Sequence, residues 1–313
     1  MTAPMTSFPN GFANGVSIRE VPALVTFSGK VFWVDSATGS NGNKGTQSRP
    51  FATLDYAIGR CTANNGDTII IKENHAETVT GVGGIAADVA GITIIGLGNF
   101  DQRPRFLMDG AATVTFAISA ADVKIQNCVF AAGHADVVTC FAITAKGAWI
   151  DACEFVNNVV DENFVTPIKA TSTSDNNADG LRVTNCRWMS VDAASAEFIE
   201  ANADILGLVV FGNFVAHEGT ASPLVLFATG KDMQYGQIMW NFLSHKMTAN
   251  ELLVNIDTSA NSGIIAHNRV GHADVTTTHD LGIDALGCRL FDNLSTSTDS
   301  LSGFVMPAID ANS

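Results

Sequence analysis

The sequence predicts an all-β protein: a parallel β-helix in which about eight or more coils stack along one axis. Three observations support this fold class. Short apolar strands recur every 25 to 33 residues, most of them end in asparagine, and no segment between them has helical periodicity. A β-propeller blade requires about 40 to 50 residues, so stacked coils fit the spacing better.

The repeat is defined by a strand that closes on a small or amide residue. Its copies run from ITIIG at 92–96 to RLFDN at 289–293. The closing residues are Gly96, Asn127, Ala152, Asn185, Asn213, Asn241, Asn268 and Asn293. A second strand precedes each later copy, so each coil is predicted to hold at least two strands. Equivalent residues of successive coils should stack, which predicts a file of asparagines along the axis.

Three of the six cysteines follow the repeat. Cys128, Cys153 and Cys186 occupy one phase of three consecutive copies, and the aligned residues of the next two copies are Phe214 and Phe242. Such a column indicates packing, so we expect buried, reduced thiols. The cysteines show no CxxC or Cys/His zinc spacing, and neither a metal site nor a cofactor is predicted.

The segment before the repeat predicts a short helix. It begins with a strand at 31–35 and a Gly/Asn/Ser-rich loop at 36–49. An amphipathic helix is predicted from about Phe51 to Arg60, with Leu54, Ala57 and Ile58 on one face. The strand GDTIII follows after a tight turn.

The run WVDSATGSNGNKGTQSRPFATLDYAI, continued by GDTIIIKENHAE, resembles the start of pectate-lyase-like right-handed β-helices. The resemblance covers residues 31–80 by motif and 81–298 by repeat. It implies a single-stranded right-handed helix whose N-terminal helix caps the open end of the stack, where sheet edges would otherwise be exposed. It is specific for the fold and weak for chemistry.

Residues 1–30 form a separate arm with a doubled aromatic-x-Asn-Gly motif: Phe8, Asn10 and Gly11, then Phe12, Asn14 and Gly15. The arm is similar to leader segments of tailed-phage head-fibre, decoration and tailspike proteins. This resemblance implies anchoring to a capsid or tail protein through Phe8, Asn10, Phe12 and Asn14. The alternative is a loose terminus that adds an edge strand to the first coil.

The chain therefore divides into four parts: the arm at 1–30, the initial strand, loop and capping helix at 31–66, the β-helix at 67–298, and a tail at 299–313. The net charge of −14, without a basic cluster, argues against nucleic-acid binding. The apolar runs are too short to span a membrane, and the N-terminus lacks a secretory signal. We therefore expect synthesis in the cytoplasm of a bacterial host and a place in the virion.

Chemistry on this fold requires side chains that point outward at one phase. With the closing asparagines inward, the preceding residues face out, and Trp240, His267 and Asp292 form a run that could contact a host-surface glycan. The alternative is an interface aromatic with polar neighbours. Asp257 and Asp284 form a candidate acid pair, with solvated strand ends as the alternative. No catalytic residue is predicted.

A second outward column is aliphatic over four consecutive coils: Val210, Ile238, Ile265 and Leu290. An exposed stripe of this kind predicts burial against copies of the same chain, as in a homotrimer of parallel β-helices. The alternative is that twist or a bulge turns these residues inward.

These features together predict a structural virion protein: a homotrimeric β-helical capsid decoration or head-fibre protein attached through its arm. The alternatives are a tailspike-like polysaccharide depolymerase, hydrolase or lyase, and a non-catalytic glycan-binding module. The residues favour a protein that is not an enzyme, because no outward column repeats an acid cluster.

Overall fold

The computed structural model describes residues 17–18, 21–22, 29–218, 223–245, 251–256, 260–272, 282–285 and 287–296. Over these ranges the chain is a parallel β-helix, which confirms the predicted fold class. Apart from the first and last coils, each coil contributes one strand to each of three parallel sheets, so the chain passes from sheet A to sheet B to sheet C and back. The helices in these ranges are too short to cross a membrane.

The sheets contain ten, nine and eight strands in the described ranges. Sheet A consists of Val31–Val34, Thr68–Ile71, Thr93–Gly96, Lys124–Gln126, Trp149–Asp151, Arg182–Thr184, Val209–Phe211, Gly236–Met239, Gly263–Ala266 and Cys288–Phe291. Sheet B consists of Ala76–Thr80, Arg105–Asp109, Val129–Ala132, Glu154–Asn157, Arg187–Ser190, Phe214–His217, Phe242–His245, Arg269–His272 and Leu294–Thr296. Sheet C consists of Ile85–Ala87, Phe116–Ile118, Val137–Ile143, Phe164–Ala170, Ile199–Ala201, Val225–Phe227, Glu251–Asn255 and Gly282–Asp284.

Two short strand pairs lie outside these sheets: Ser17–Ile18 with Val21–Pro22, and Ile205–Leu206 with Met233–Gln234. A 3₁₀ turn spans Phe100–Gln102.

The α-helix spans Leu54–Ile58, shorter than predicted. Its start is fixed by Glu77, whose carboxylate accepts a hydrogen bond from the Leu54 N–H at 3.0 Å. The side chains of Leu54, Ala57 and Ile58 are buried in the core, as their spacing predicts. That the helix caps the stack remains a prediction.

Sheet B was not predicted as a separate sheet. From the fourth sheet A strand onward, only two residues separate the end of a sheet A strand from the next sheet B strand, as between Gln126 and Val129. Because the turn is so short, the sequence KIQNCVFAA does not show where one strand ends and the next begins. Each coil therefore has three strands, where the sequence predicted at least two.

The core is built from columns of identical or similar side chains. Phe106, Phe130 and Phe155 lie on three successive strands of sheet B, with ring centroids 5.4 and 5.9 Å apart. All three are fully buried, and rings from sheet C pack against them edge-on. The coils are thus held by main-chain ladders outside and stacked aromatic rings inside.

The predicted file of asparagines holds for Asn213, Asn241, Asn268 and Asn293, which continue the thiol column, whereas Asn127 and Asn185 lie one residue earlier in the coil. Strand register aligns Cys128, Cys153 and Cys186 with Asn213 on the next coil and Asn241 after it. The three thiols are free and buried as expected, and burial raises the pKa of the Cys153 thiol to about 12. The expectation that Phe214 and Phe242 follow in this column is wrong, since both rings lie one residue further along.

The buried amides form a continuous hydrogen-bonded ladder. The side-chain oxygen of Asn241 accepts from the backbone N–H of Asn213 at 3.0 Å and from its amide at 2.9 Å. The Asn241 amide donates to the Val210 carbonyl at 3.0 Å and to the side-chain oxygen of Asn268 at 3.0 Å. Asn268 repeats the pattern with Asn293. Each of these side chains therefore accepts a hydrogen bond from the backbone N–H of the asparagine on the preceding coil and donates to a carbonyl of that coil's sheet A strand.

The predicted aliphatic interface is wrong. Val210, Ile238 and Ile265 are 0% exposed, and Leu290 is half-buried against the core. The reason is a one-residue slip: Val210 pairs with Val183, not with Arg182. Because side chains of a strand alternate between faces, this slip reverses the predicted orientation of every later coil.

Candidate functional site

The most distinctive outer surface lies at the turn between sheets A and B, here called the AB corner. The first of its two residues has a left-handed conformation, with φ between 50° and 68°. From the fourth sheet A strand onward these residues are Asn127, Ala152, Asn185, Gly212, Trp240, His267 and Asp292. Asparagine and glycine adopt this conformation readily, but a tryptophan there is an outlier. Backbone strain of this kind is a recognised mark of functional sites.

The structure brings together the predicted run of Trp240, His267 and Asp292. The Trp240 and His267 rings stack with centroids 4.5 Å apart and planes inclined by 20°. The Asp292 carboxylate lies 2.6 Å from Nδ1 of His267. Trp240 is 54% exposed. Its ring is held at the surface by stacking on His267, which Asp292 holds in turn. This arrangement is a flat apolar platform with a polar rim.

Two preceding coils complete the surroundings of the platform. His267 covers one face of the Trp240 ring, and the preceding coil places Gly212 at the same corner position. A Cβ atom at Gly212 would lie 2.9 Å from the side-chain oxygen of Asn185, so a side chain there would crowd this amide. The Asn185 amide is itself held by Asp151, whose carboxylate accepts its N–H at 3.1 Å. Along the AB corner, the Trp240 ring is thus preceded by a residue without a side chain and then by an amide.

Exposed phenylalanines flank the platform. Phe214 and Phe242 stack with centroids 5.0 Å apart and planes 8° apart, and Phe211 and Phe291 are exposed beside them. We call Phe211, Phe214, Trp240, Phe242 and Phe291 the aromatic ridge. The sequence did not predict that these four phenylalanines are exposed. The recurrence of FGNF, MWNF and FDNL indicates their shared position once the register is known.

A second group of ionisable side chains lies on and beside sheet C. Lys169 and Glu200 are neighbours in register, and Nζ lies 2.5 Å from the carboxylate. Burial raises the pKa of Glu197, and a hydrogen bond shared with Glu200 and the negative charge of Glu200 raise it further. Retaining glycosidases place their carboxyl groups about 5–5.5 Å apart and inverting ones further. Two carboxyls that share a hydrogen bond are too close for a sugar to react between them.

Of the other predicted site residues, most lie outside the described residues. Strand register pairs Asp284 with Asn255, so the expected alignment of Asp284 with Asp257 is wrong, and Asp257 lies outside the described residues. Phe8, Asn10, Phe12 and Asn14 of the arm also lie outside them. Within the described ranges, no three acidic, histidine or cysteine side chains converge to hold a metal ion.

Comparison with solved structures shows the fold. A rhamnogalacturonan lyase is similar over 88% of this chain and 90% of its own, with a TM-score of 0.51 and 13% sequence identity. A lacto-N-biosidase of family GH136 from Eubacterium ramulus matches over 85% of this chain and 67% of its own, with a TM-score of 0.37 and 9% identity. No family model matches the sequence. No curated protein matches it either. The chain thus has the parallel β-helix fold seen in the rhamnogalacturonan lyase, at an identity that establishes architecture alone.

Proposed function

We propose that this protein binds a glycan at the AB corner, with Trp240 as the ring on which a sugar stacks. The observation that carries the proposal is the exposed Trp240 ring, which stacks on His267 and has glycine, Gly212, at the same position of the preceding coil. The apolar face of a pyranose ring fits such a platform, and its hydroxyls can bond to the Asn185 amide.

The arrangement of the carboxylates favours binding of a glycan over its cleavage. The Glu197 and Glu200 pair shares a hydrogen bond and is ion-paired to Lys169, which is the geometry of a structural network. A depolymerase remains an outcome that the binding experiment can reveal, since it would release reducing ends or unsaturated uronates from the polysaccharide.

The test is binding to a panel of immobilised neutral and acidic polysaccharides. Trp240→Ala is expected to weaken binding at least about tenfold, the loss that corresponds to roughly 1.4 kcal/mol. Tyr235→Ala is the matched control, because Tyr235 is a 73% exposed aromatic residue of the same coil outside the AB corner. Equal binding by the Trp240→Ala variant, or no binding of the native protein to any polysaccharide, would contradict the proposal.

The aromatic ridge favours a second candidate: a homotrimeric β-helical component of a phage virion, such as a capsid decoration or head-fibre protein attached through residues 1–30. Phe211, Phe214, Phe242 and Phe291 expose apolar rings on coils of the C-terminal half, where the sequence had predicted an aliphatic stripe. Contiguous exposed apolar surface is typical of protein interfaces. In this candidate the ridge, not the buried stripe, contacts neighbouring copies.

Mass in solution separates the two candidates. A trimer is expected at about three times the chain mass of 32.9 kDa, and a Phe214→Ser, Phe242→Ser double variant should then sediment as a monomer. Val82→Ser, at an exposed valine far from the ridge, is the control and should leave the mass unchanged. A native protein that sediments as a monomer at micromolar concentration rules out the trimer.

A further inference from the structure

A second depression lies at the turn that leads from sheet C to sheet A, away from the AB corner. It has a volume of about 700 Å³ and is lined by the outer face of sheet A and by successive turns. This volume is within the range of about 300–1,000 Å³ typical of small-molecule sites. Its lining includes three cations, two carboxylates, a tryptophan and three glycines. We propose that it binds an acidic sugar, with Arg182 pairing with the acid group.

Glycines create the space. Gly147, Gly180 and Gly207 occupy one turn position on three consecutive coils, with φ between 69° and 71°. A Cβ atom added at Gly207 would meet nothing within 4 Å, and one at Gly180 would touch only Gly147. At Gly147, by contrast, an added Cβ atom would collide with the carboxylate of Asp122. Around Gly180 and Gly207 the floor of the depression is therefore backbone that a ligand can approach closely.

A rigid aromatic residue forms the wall. Lys124, Trp149 and Arg182 are in register on adjacent strands of sheet A. Nζ of Lys124 lies 3.7 Å from the centroid of the Trp149 ring, and the Arg182 guanidinium carbon lies 5.8 Å from it on the following coil. The indole N–H donates to the Thr184 hydroxyl at 2.8 Å, which fixes the ring. Trp149 thus aligns two cations along the depression.

The charged residues of the lining indicate which cation is available to the acid group of a ligand. Lys146 is paired with Asp179 at 3.3 Å, and Lys124 lies 3.7 Å from Asp151. Arg182 is exposed and has no carboxylate partner within the described ranges. It is therefore the cation available to a ligand, and its planar fork matches a carboxylate or sulfate.

The two acidic residues of the lining select for a hydroxylated ligand. Asp122 and Asp179 line the depression beside Lys146 and Gly147. Because Asp179 already accepts hydrogen bonds from Lys146 and from the Leu206 N–H, Asp122 is the principal acceptor for a ligand. Carboxylates accept hydrogen bonds from sugar hydroxyls but repel a bare anion. Positive and negative groups on one small surface therefore fit a molecule with both an acid group and hydroxyls, which is the chemistry of an acidic sugar. This inference stands on residues other than Trp240 and does not depend on the AB corner.

The test is calorimetric titration of the full chain with galacturonate, glucuronate and mannuronate trisaccharides, each compared with its neutral methyl ester. At least one acid is expected to bind about tenfold or more tightly than its ester, because the ester cannot form the charge-assisted pair. Arg182→Gln should abolish that preference. Arg60→Gln, which removes an exposed arginine outside the depression, should retain it.

Trp240→Ala separates this site from the proposed glycan platform, because the acid preference should persist in that variant. If the native protein binds acid and ester equally, or binds neither, the inference is wrong. It is equally wrong if Arg182→Gln keeps the preference or if Trp240→Ala removes it.

Discussion

Replacing Asn241 with alanine is expected to lower the free energy of unfolding by about 3 kcal/mol or more. The side chain makes four hydrogen bonds at the centre of the ladder, and its own backbone N–H makes a fifth to Asn268. Its loss leaves the backbone N–H of Asn213 without a partner in a buried turn. It also removes one bond from the Asn213 amide, which keeps the Val183 carbonyl, and one from the carbonyl of the sheet A residue Val210. Each buried unsatisfied group costs about 1–3 kcal/mol.

The same column supplies a matched control. Cys153 is equally buried, but its thiol makes only long contacts of 3.4 and 3.8 Å to carbonyl oxygens. Cys153→Ala is expected to cost about 1 kcal/mol, the central value for point substitutions. Urea unfolding followed by circular dichroism measures both. Similar losses for the two variants would show that the amide ladder contributes no more than ordinary packing.

Acidification from about pH 6.5 to pH 4 is expected to destabilise the protein by up to about 3 kcal/mol through His217 alone. Burial lowers the pKa of this histidine from 6.5 to about 4. The side chain is 4% exposed and stacks on Trp188 with ring centroids 5.0 Å apart. The unfolded chain therefore binds a proton in this pH range that the folded chain does not, so stability falls as the pH falls.

The measurement is the urea midpoint at several pH values between 7.5 and about 4.5, for native protein and for His217→Gln. The variant is less stable at neutral pH, but its stability should change less with pH than that of the native protein. His134→Gln, at a half-buried turn position, should keep the native dependence. If native protein and His217→Gln show parallel curves, other groups account for the acid sensitivity.

The features that depend on period alone were predictable. Repeat length identified the coils, and the recurrence of asparagine placed Asn213, Asn241 and Asn268 in one file. The buried thiols followed from the same period, and so did the apolar face of the helix with Leu54, Ala57 and Ile58. Stacking in a β-helix is set by backbone geometry, so a correct period brings these residues together whatever their chemistry.

Orientation was harder to predict because asparagine serves two positions. Asn127 and Asn185 occupy the left-handed corner position, whereas Asn213 and Asn241 occupy the buried position one residue later. Asparagine suits the corner position because it adopts the left-handed conformation readily. It suits the buried position because its amide hydrogen-bonds to the neighbouring coils. Aligning Asn185 with Asn213 therefore shifted the frame by one. The shift placed Val210 and its counterparts outside and left the aromatic ridge unpredicted.

The sequence predicted which residues form the Trp240 platform, but not the surroundings of that platform. The residues before the closing asparagines include Trp240, His267 and Asp292, and the slip did not affect their mutual alignment. The close approach of Asn185 to Gly212 could not be foreseen, because it required Asn185 to be recognised as the corner residue of the preceding coil. The depression at Arg182 depends on three glycines whose left-handed conformation is a property of the backbone.

Within the three described sheets, each inner strand hydrogen-bonds to the coil before it and the coil after it. Stability is then close to a sum of nearest-neighbour contributions, like that of a one-dimensional lattice. A whole coil of about 28 residues could be duplicated or deleted between two others, provided that the cut respects the corner residue. Such a change would alter the length of the rod, and with it the distance between the Arg182 depression and the Trp240 platform, without altering either site. In this architecture the distance between two sites can thus be changed without changing either site.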